Sequence, residues 1–265
     1  MKKIGLFGGS FDPIHKAHID IALCAIKELE LDELRLIPTK NNPWKDCAHS
    51  SNEDRIRMIE IAIQDYDKIR IERFEIDSQS DEKNYSYMTI EALTLNSDDK
   101  FYFIMGMDQA NQFDKWREAQ YISKMVQLVA FQRGGYECNE EILNQYRFIT
   151  LHNQPIFSSS TDIKNGKVEL LDSKVLEYIT SKGLYIDTMI SSYIKEKRWK
   201  HSLSVASLAK QMAKSNGLNE DSAYIAGIFH DVAKEMDYES SFEIMNKYFT
   251  IGDNINSLMM WTIKH

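Results

Sequence analysis

Cysteine is scarce: Cys24, Cys47 and Cys138 are the three in 265 residues, scattered and without a C-x-x-C pair. That excludes a disulfide framework and suits a reducing cytosol. Long apolar runs are missing too. None approaches the ~20 residues of a membrane-spanning helix, so no membrane partner is expected. The first residues run directly into a polar-flanked strand instead of a signal peptide, which leaves the sequon Asn84-Tyr85-Ser86 without a role. Basic residues are in deficit, 32 Lys and Arg against 40 Asp and Glu, for a formal net charge of −8. Non-specific nucleic-acid binding is driven by basic surface, so nucleic acid is not expected as a general partner. An anionic small substrate must therefore meet local positive groups. Internal repeats and low-complexity linkers are also absent.

What remains is ordinary globular composition, 43% apolar and 27% charged, in a length that admits two domains. Strand-like and helical patterns alternate up to about residue 187 and then give way to helices. Strands are predicted at Lys3–Phe7, Glu33–Ile37, Lys68–Arg73, Phe101–Met105, Val126–Phe131 and Phe148–Leu151. Helical periodicity fits Ala17–Glu30, Asn52–Tyr66, Tyr87–Asn96, Asp108–Lys124 and Asn139–Tyr146. Such alternation implies an α/β, Rossmann-like doubly wound parallel sheet whose ligands gather at the carboxyl ends of the strands. The expected domains are residues 1–187 and 188–265, with the boundary inside Gly183–Met189.

The first predicted strand runs into Gly8-Gly9-Ser10-Phe11-Asp12-Pro13-Ile14-His15-Lys16-Ala17-His18. Glycines at a strand end let backbone approach a ligand closely, and the following helix aims free N–H groups and its positive dipole end at the same point. His15 and His18, three residues apart on a helix, can both donate to the oxygens of one polyphosphate. The dinucleotide fingerprint G-x-G-x-x-G and the P-loop G-x-x-x-x-G-K-[ST] both fail to fit. The stretch resembles the nucleotidyltransferase signature G-G-x-F-D-P-x-H-x-G-H, closely as in the bacterial nicotinate mononucleotide adenylyltransferase family. Ala17 stands where that family has glycine.

Further segments extend the resemblance. Gly106-Met107-Asp108, with Phe113 and Trp116, resembles G-x-D-x-x-x-x-F-x-x-W. The resemblance implies Gly106 and Asp108 near the adenosine ribose and Trp116 stacked on the nicotinate ring. An indole face suits a flat, electron-poor pyridinium, although Trp116 also suits the core side of an amphipathic helix. Ser158-Ser159-Ser160-Thr161-Asp162-Ile163-Lys164 is similar to I-S-S-T-x-I-R, which implies Ser160, Thr161 and Lys164 at the triphosphate; as plain sequence it also reads as a helix cap. Lys164 replaces an arginine, a point charge in place of a fork. Pro38 to Lys45 matches a loop that brings a lysine to the substrates, Lys45 first and Lys40 second, and both residues equally suit solvent. Thr89-Ile90-Glu91-Ala92-Leu93 corresponds to T-x-D-T-L beside the nicotinate carboxylate. Arg133-Gly134 matches as well, without an assignable role.

The resemblance implies transfer of AMP from ATP to nicotinate mononucleotide, with Mg²⁺ riding on the ATP phosphates. His15, His18, Lys45, Ser160 and Lys164 would act on phosphate, and Gly8, Gly9, Ser10, Phe11, Thr89, Gly106, Asp108, Trp116 and Thr161 would bind substrate. Nicotinamide mononucleotide and other acceptors stay open, with a pantetheine-phosphate relative as a competing reading.

From residue 188 the pattern differs. Arg198-Trp199-Lys200-His201 opens a helix with Val205, Leu208, Ala209 and Met212 along one face, and a second helix ends in His230-Asp231, followed by Lys234. This resembles the metal-dependent HD phosphohydrolases, whose members cleave dinucleoside polyphosphates, and implies a small all-α domain with His201, His230, Asp231 and His265 around a transition metal such as Fe or Mn. Against that family the helical part is expected to be incomplete after His265. It reads as a phosphohydrolase when complete, or as a non-catalytic oligomerisation or nucleotide-sensing module, with a homo-oligomer as one expectation.

Overall fold

A computed structural model describes residues 1–40, 50–78, 85–191 and 194–235. Its sheet begins with β1 (Lys3–Gly9), whose buried centre Ile4-Gly5-Leu6-Phe7 is the apolar run of the sequence. A Cβ at Gly5 would stand 2.7 Å from Leu31 Cδ1, so glycine here lets the loop after α1 close on the strand. The remaining strands are β2 (Glu33–Pro38), β3 (Ile69–Ile71), β4 (Lys100–Gly106), β5 (Gln127–Phe131) and β6 (Ile149–Thr150). They lie in the order β3-β2-β1-β4-β5-β6, every neighbouring pair parallel. The order reverses between β1 and β4, and that switch point opens a crevice at their carboxyl ends.

Helices α1 (Lys16–Glu28), α2 (Asn52–Ile63), α3 (Phe74–Asp77), α4 (Ser86–Thr94), α5 (Met107–Ala110), α6 (Ala119–Met125) and α7 (Glu140–Gln145) fill the connections. Leu6, Phe103, Met105, Phe113, Ile122 and Leu128 form part of one buried cluster that holds the helices after β4 against the sheet.

Two expectations are corrected. The third strand pairs only over Ile69–Ile71, because Arg73 already caps α3. The span Asp108–Lys124 is not one helix. It divides into α5, a 3₁₀ turn Phe113–Lys115 and α6, with Trp116 extended (φ −73°, ψ 141°) and Glu118 left-handed (φ 59°). Apolar side chains at Phe113, Trp116 and Ala119 keep a three-residue spacing that a 3₁₀ turn satisfies as well as a helix does.

After β6 the described chain has no further strand. It continues as α8 (Ser160–Lys164), α9 (Ser173–Lys182), α10 (Ile186–Ser191), α11 (Glu196–Ser215) and α12 (Glu220–Phe229). Two compact units emerge among the described residues: Met1–Ser160 with Val168–Glu177, and Thr161–Lys167 with the described residues from Tyr178 to Glu235. In the second, α11 and α12 cross closely, and a Cβ at Gly227 would meet Ala206 Cα at 2.4 Å. Ser202, Ala206 and Ala213 are buried along α11, whereas Leu208 and Met212 of its most apolar face stay 58% exposed among the described residues. Small residues let the helix backbones approach, and that decides which face packs. No helix of the described residues is long and apolar enough to cross a membrane.

Candidate active site and metal centre

The turn from Gly8 to His18 grows out of β1. Phe11 takes a left-handed backbone (φ 45°), its ring buried, and His15 is the extended N-cap of α1 (φ −145°, ψ 170°). The cap folds the two imidazoles together, with ring centroids 3.8 Å apart, and the His15 backbone N–H donates to His18 Nδ1 at 3.2 Å. Phe11 packs edge-on to His18 at 5.0 Å. Burial holds the His18 pKa well below its usual 6.5, helped by His15 and by the charge of Arg133. A neutral His18 whose Nδ1 accepts carries its proton on Nε2 and can donate it to a phosphate oxygen.

Across the switch point, β4 ends at Gly106 and Asp108 enters the first turn of α5. A Cβ on Gly106 would lie 2.4 Å from Asp108 Oδ1, so only glycine lets this carboxylate fold back. Arg133 Nη1 donates to Asp108 Oδ2 at 2.7 Å, while Oδ1 is buried without a hydrogen bond among the described residues. Arg133 follows β5, and its loop is pinned by Gly134 N–H donating to Ile156 O at 2.9 Å. Beside it lies a cavity of about 330 Å³, lined by Met107, Arg133, Gly134, Tyr136, Thr150 and Phe157.

Other expected residues distribute as follows. Ser160 Oγ donates to Pro13 O at 3.0 Å, which joins the third motif to the first. Trp116 is half-buried, edge-on to Phe103 at 6.1 Å and tilted on Phe113 at 5.4 Å, so it serves the core with part of its surface. Thr89 is buried and donates to Glu75 Oε1 at 2.8 Å. Burial pushes the Glu75 carboxyl up, against the pull of Thr89 and of the Lys40 backbone N–H. Lys40 Nζ donates to Ser78 O at 2.6 Å. Thr161 and Lys164 fall in the second unit, where the Lys164 amine lies 5.2 Å from the Tyr185 ring centroid. Lys45 and His265 lie outside the described residues.

Arg55 is the residue that sequence reasoning missed altogether. It is 1% exposed and donates to Ser10 O at 2.6 Å, Thr39 O at 2.7 Å and Asn52 Oδ1 at 2.6 Å, so α2 ties the ends of β1 and β2. Beside it, Ser50 Oγ donates to Asp12 Oδ1 at 2.6 Å. On an amphipathic helix an arginine reads as a solvated residue, and no local pattern marks this one. For Arg133 the signal was its match to the family, and its role needed the partner.

In the second unit, α11 carries His201, and α12 ends at His230-Asp231. Their ligand atoms lie within 4.8 Å of one another. His230 Nε2 stands 3.4 Å from Asp231 Oδ1, His201 Nε2 3.8 Å from Oδ2, and His230 Nδ1 bonds Gly227 O at 2.7 Å, a backbone hold that leaves Nε2 for a ligand. Arg198 and Lys234 also reach Asp231, at 3.1 and 2.8 Å. Burial alone would raise Asp231, but the Lys234 hydrogen bond and the charges of His230, Lys234 and Arg198 hold it below the usual carboxylate value. Two imidazoles and one carboxylate converging in this way fit a divalent transition metal.

Comparison with known proteins assigns a family to each of these two regions of the chain. A cytidylyltransferase-like family model matches residues 6–166 and an HD domain model matches residues 198–256. The chain is 32% identical to a Mycoplasma genitalium protein named "Probable nicotinate-nucleotide adenylyltransferase/Ap4A hydrolase", over all of this chain and 74% of that protein. It is 34% identical to the "Probable nicotinate-nucleotide adenylyltransferase" of Clostridium acetobutylicum, over 70% of this chain and all of the relative. Among solved structures, the Plasmodium falciparum nicotinic acid mononucleotide adenylyltransferase complexed with NaAD superposes with a TM-score of 0.60 at 24% identity, covering 70% of this chain and 98% of that one, which shows a shared fold. The chain belongs to the cytidylyltransferase-like family, in its nicotinate-nucleotide adenylyltransferase branch, and carries an HD domain after it.

Proposed function

We propose that this chain transfers the adenylyl group of ATP to nicotinate mononucleotide in the cytosol, forming nicotinate adenine dinucleotide and pyrophosphate. The observation that carries the reading is the close His15–His18 pair at the switch point, ring centroids 3.8 Å apart and planes tilted by 37°, with the His18 Nε2 proton available beside the Asp108–Arg133 pair. A mononucleotide phosphate oxygen attacks the α-phosphorus in line; the new O–P bond forms as the bond to the β-phosphate bridge breaks, and pyrophosphate leaves. No covalent intermediate is required. Alignment can supply roughly 7–11 kcal/mol of the barrier. His15, His18, Lys45 and Ser160 grip phosphate oxygens, with backbone from Gly8 to Phe11 closing around them. Asp108, with its buried Oδ1, takes ribose hydroxyls above Gly106, and Trp116 and Thr89 form the pyridine wall. Mg²⁺ travels with the ATP phosphates, held mostly by water.

The transferase part spans residues 1–187 and the helical part 188–265. In the latter, His201, His230 and Asp231, joined by His265, hold Fe or Mn, which when bound supplies an activated water for cleaving a phosphoanhydride. Arg198 and Lys234 keep Asp231 ionised. The competing reading, a non-catalytic oligomerisation module, draws on exposed Leu208 and Met212.

Pyrophosphate release from Mg-ATP tests the first activity, with nicotinate against nicotinamide mononucleotide, in the unaltered chain and in His18→Ala. Acid-dependent release that falls about 10²–10³-fold in the variant supports it, the cost of losing one preorganised donor. Release with neither acceptor sinks it. For the second activity, phosphate release from diadenosine tetraphosphate with and without Fe or Mn decides; none in either condition favours the oligomerisation reading.

A further inference from the structure

The loop after β5 walls the cavity beside the Asp108–Arg133 pair, where Tyr136 and Cys138 share the lining with Met107 of α5. Gly135 within it takes a left-handed backbone (φ 84°), and a Cβ there would meet nothing within 4 Å, so the middle of the loop is held by no packing of its own. Its ends are held instead. At the first end Arg133 donates to Asp108 at 2.7 Å and Gly134 N–H to Ile156 O at 2.9 Å. At the second end the half-buried Asn111 carboxamide bonds on both sides of Cys138: Nδ2 donates to Glu137 O at 2.7 Å, and Oδ1 accepts the Asn139 N–H at 2.8 Å. An amide satisfies a carbonyl and an N–H at once, which neither an apolar side chain nor an ionised carboxylate can do. Asn139 is in turn the N-cap of α7 and accepts from Ile142 N–H at 3.3 Å, so the clamp also fixes where that helix starts. Asn111 caps the C-terminus of α5, three residues after Asp108.

We propose that Asn111 is a positioning residue for the nucleotide: its carboxamide locks the loop of residues 133–139 onto the short helix that carries Asp108, and through that loop it sets the affinity for ATP. The inference rests on the reading of Asp108 as the carboxylate that takes ribose hydroxyls. A loop released at Glu137 and Asn139 leaves the cavity wall to be ordered by the ligand, and that ordering weakens binding. By linkage, bound nucleotide must then restore the order that the clamp supplied. The transfer itself is aligned at His15 and His18, which the clamp does not include.

Hydrogen exchange and steady-state kinetics test this in Asn111→Ala, Asn111→Asp and, as a neighbour control, Gln112→Ala. In Asn111→Ala the Asn139 amide should exchange about fivefold faster or more and the KM for Mg-ATP should rise by a similar factor, the size expected for losing neutral hydrogen bonds. Saturating Mg-ATP should slow that exchange again, while kcat and the KM for nicotinate mononucleotide hold within about twofold. Asn111→Asp keeps an acceptor for the Asn139 N–H but no donor for Glu137 O, so both effects should be smaller; Gln112→Ala should show neither. Exchange at Asn139 unmoved in Asn111→Ala would overturn the clamp. Faster exchange with an unmoved KM for ATP, or a loss shared equally by ATP and the acceptor, would overturn its tie to the nucleotide. Absence of turnover in the unaltered chain, with exchange in Asn111→Ala that still responds to Mg-ATP, would overturn the parent reading and support the clamp.

Discussion

His18 shows how neighbours set the state of one side chain. Desolvation is the largest influence that depresses its pKa, and His15 and Arg133 add to it. A histidine kept neutral in the fold contributes stability at pH values above its unfolded value near 6.5. That contribution is lost as the pH falls from there toward the folded value, because the unfolded chain takes up a proton that the folded one refuses. Arg133→Ala removes one of the depressing charges. NMR titration of the imidazole should then show the His18 pKa moved upward, with a smaller loss of stability between neutral and mildly acidic pH. The same variant frees Asp108 Oδ2, so the KM for ATP should rise about tenfold for the charged hydrogen bond that oriented the carboxylate. An unmoved His18 titration would remove Arg133 from the electrostatics of the site.

Elements bring these residues together through a few buried polar ties. Helix α2 reaches the ends of β1 and β2 through Arg55, which donates to the carbonyls of Ser10 and Thr39 and so ties the turn after β1 to the end of β2. In Arg55→Met two half-buried carbonyls lose their donor, at about 1–3 kcal/mol each. Urea unfolding should report a loss of about 2–6 kcal/mol, with Arg55→Lys intermediate. A loss under 1 kcal/mol would mean that water satisfies those carbonyls. In the helical unit the corresponding tie is steric: Gly227 allows α12 to touch α11 at Ala206, which brings His230 within 5.3 Å of the His201 ring.

At the scale of the whole molecule, the two candidate sites occupy different compact units, each built from its own residues. Metal binding to the folded helical unit should stabilise it by mass action, about 2.7 kcal/mol at a hundred times Kd. Thermal unfolding with added Mn²⁺ should show an upward shift that Asp231→Ala abolishes, while AMP transfer by Asp231→Ala stays at the level of the unaltered chain. A shift that survives in Asp231→Ala would locate the metal elsewhere.

Much of this molecule is legible in one dimension because it is encoded locally. Apolar runs of strand length separated by helical periodicity announced all six strands and a parallel sheet, and the glycines and histidines from Gly8 to His18 announced the strand-to-helix turn. His201 and His230-Asp231 were legible for a similar reason, since each lies in a patterned helix end. The tertiary structure alone decided the partnerships between residues far apart in the chain. Arg55 with Ser10, Arg133 with Asp108, Thr89 with Glu75 and Arg117 over Tyr85 and Tyr87 are separated by 14 to 45 positions, and nothing local distinguishes these arginines from solvated ones. It also decided that Asp108–Lys124 breaks at Trp116 and that α11 packs through its small residues. Periodicity reports which side chains are apolar, whereas burial of a charge or a break in a helix depends on what the rest of the chain offers at that point: a strand-end carbonyl, a carboxylate, or room for a backbone to come close.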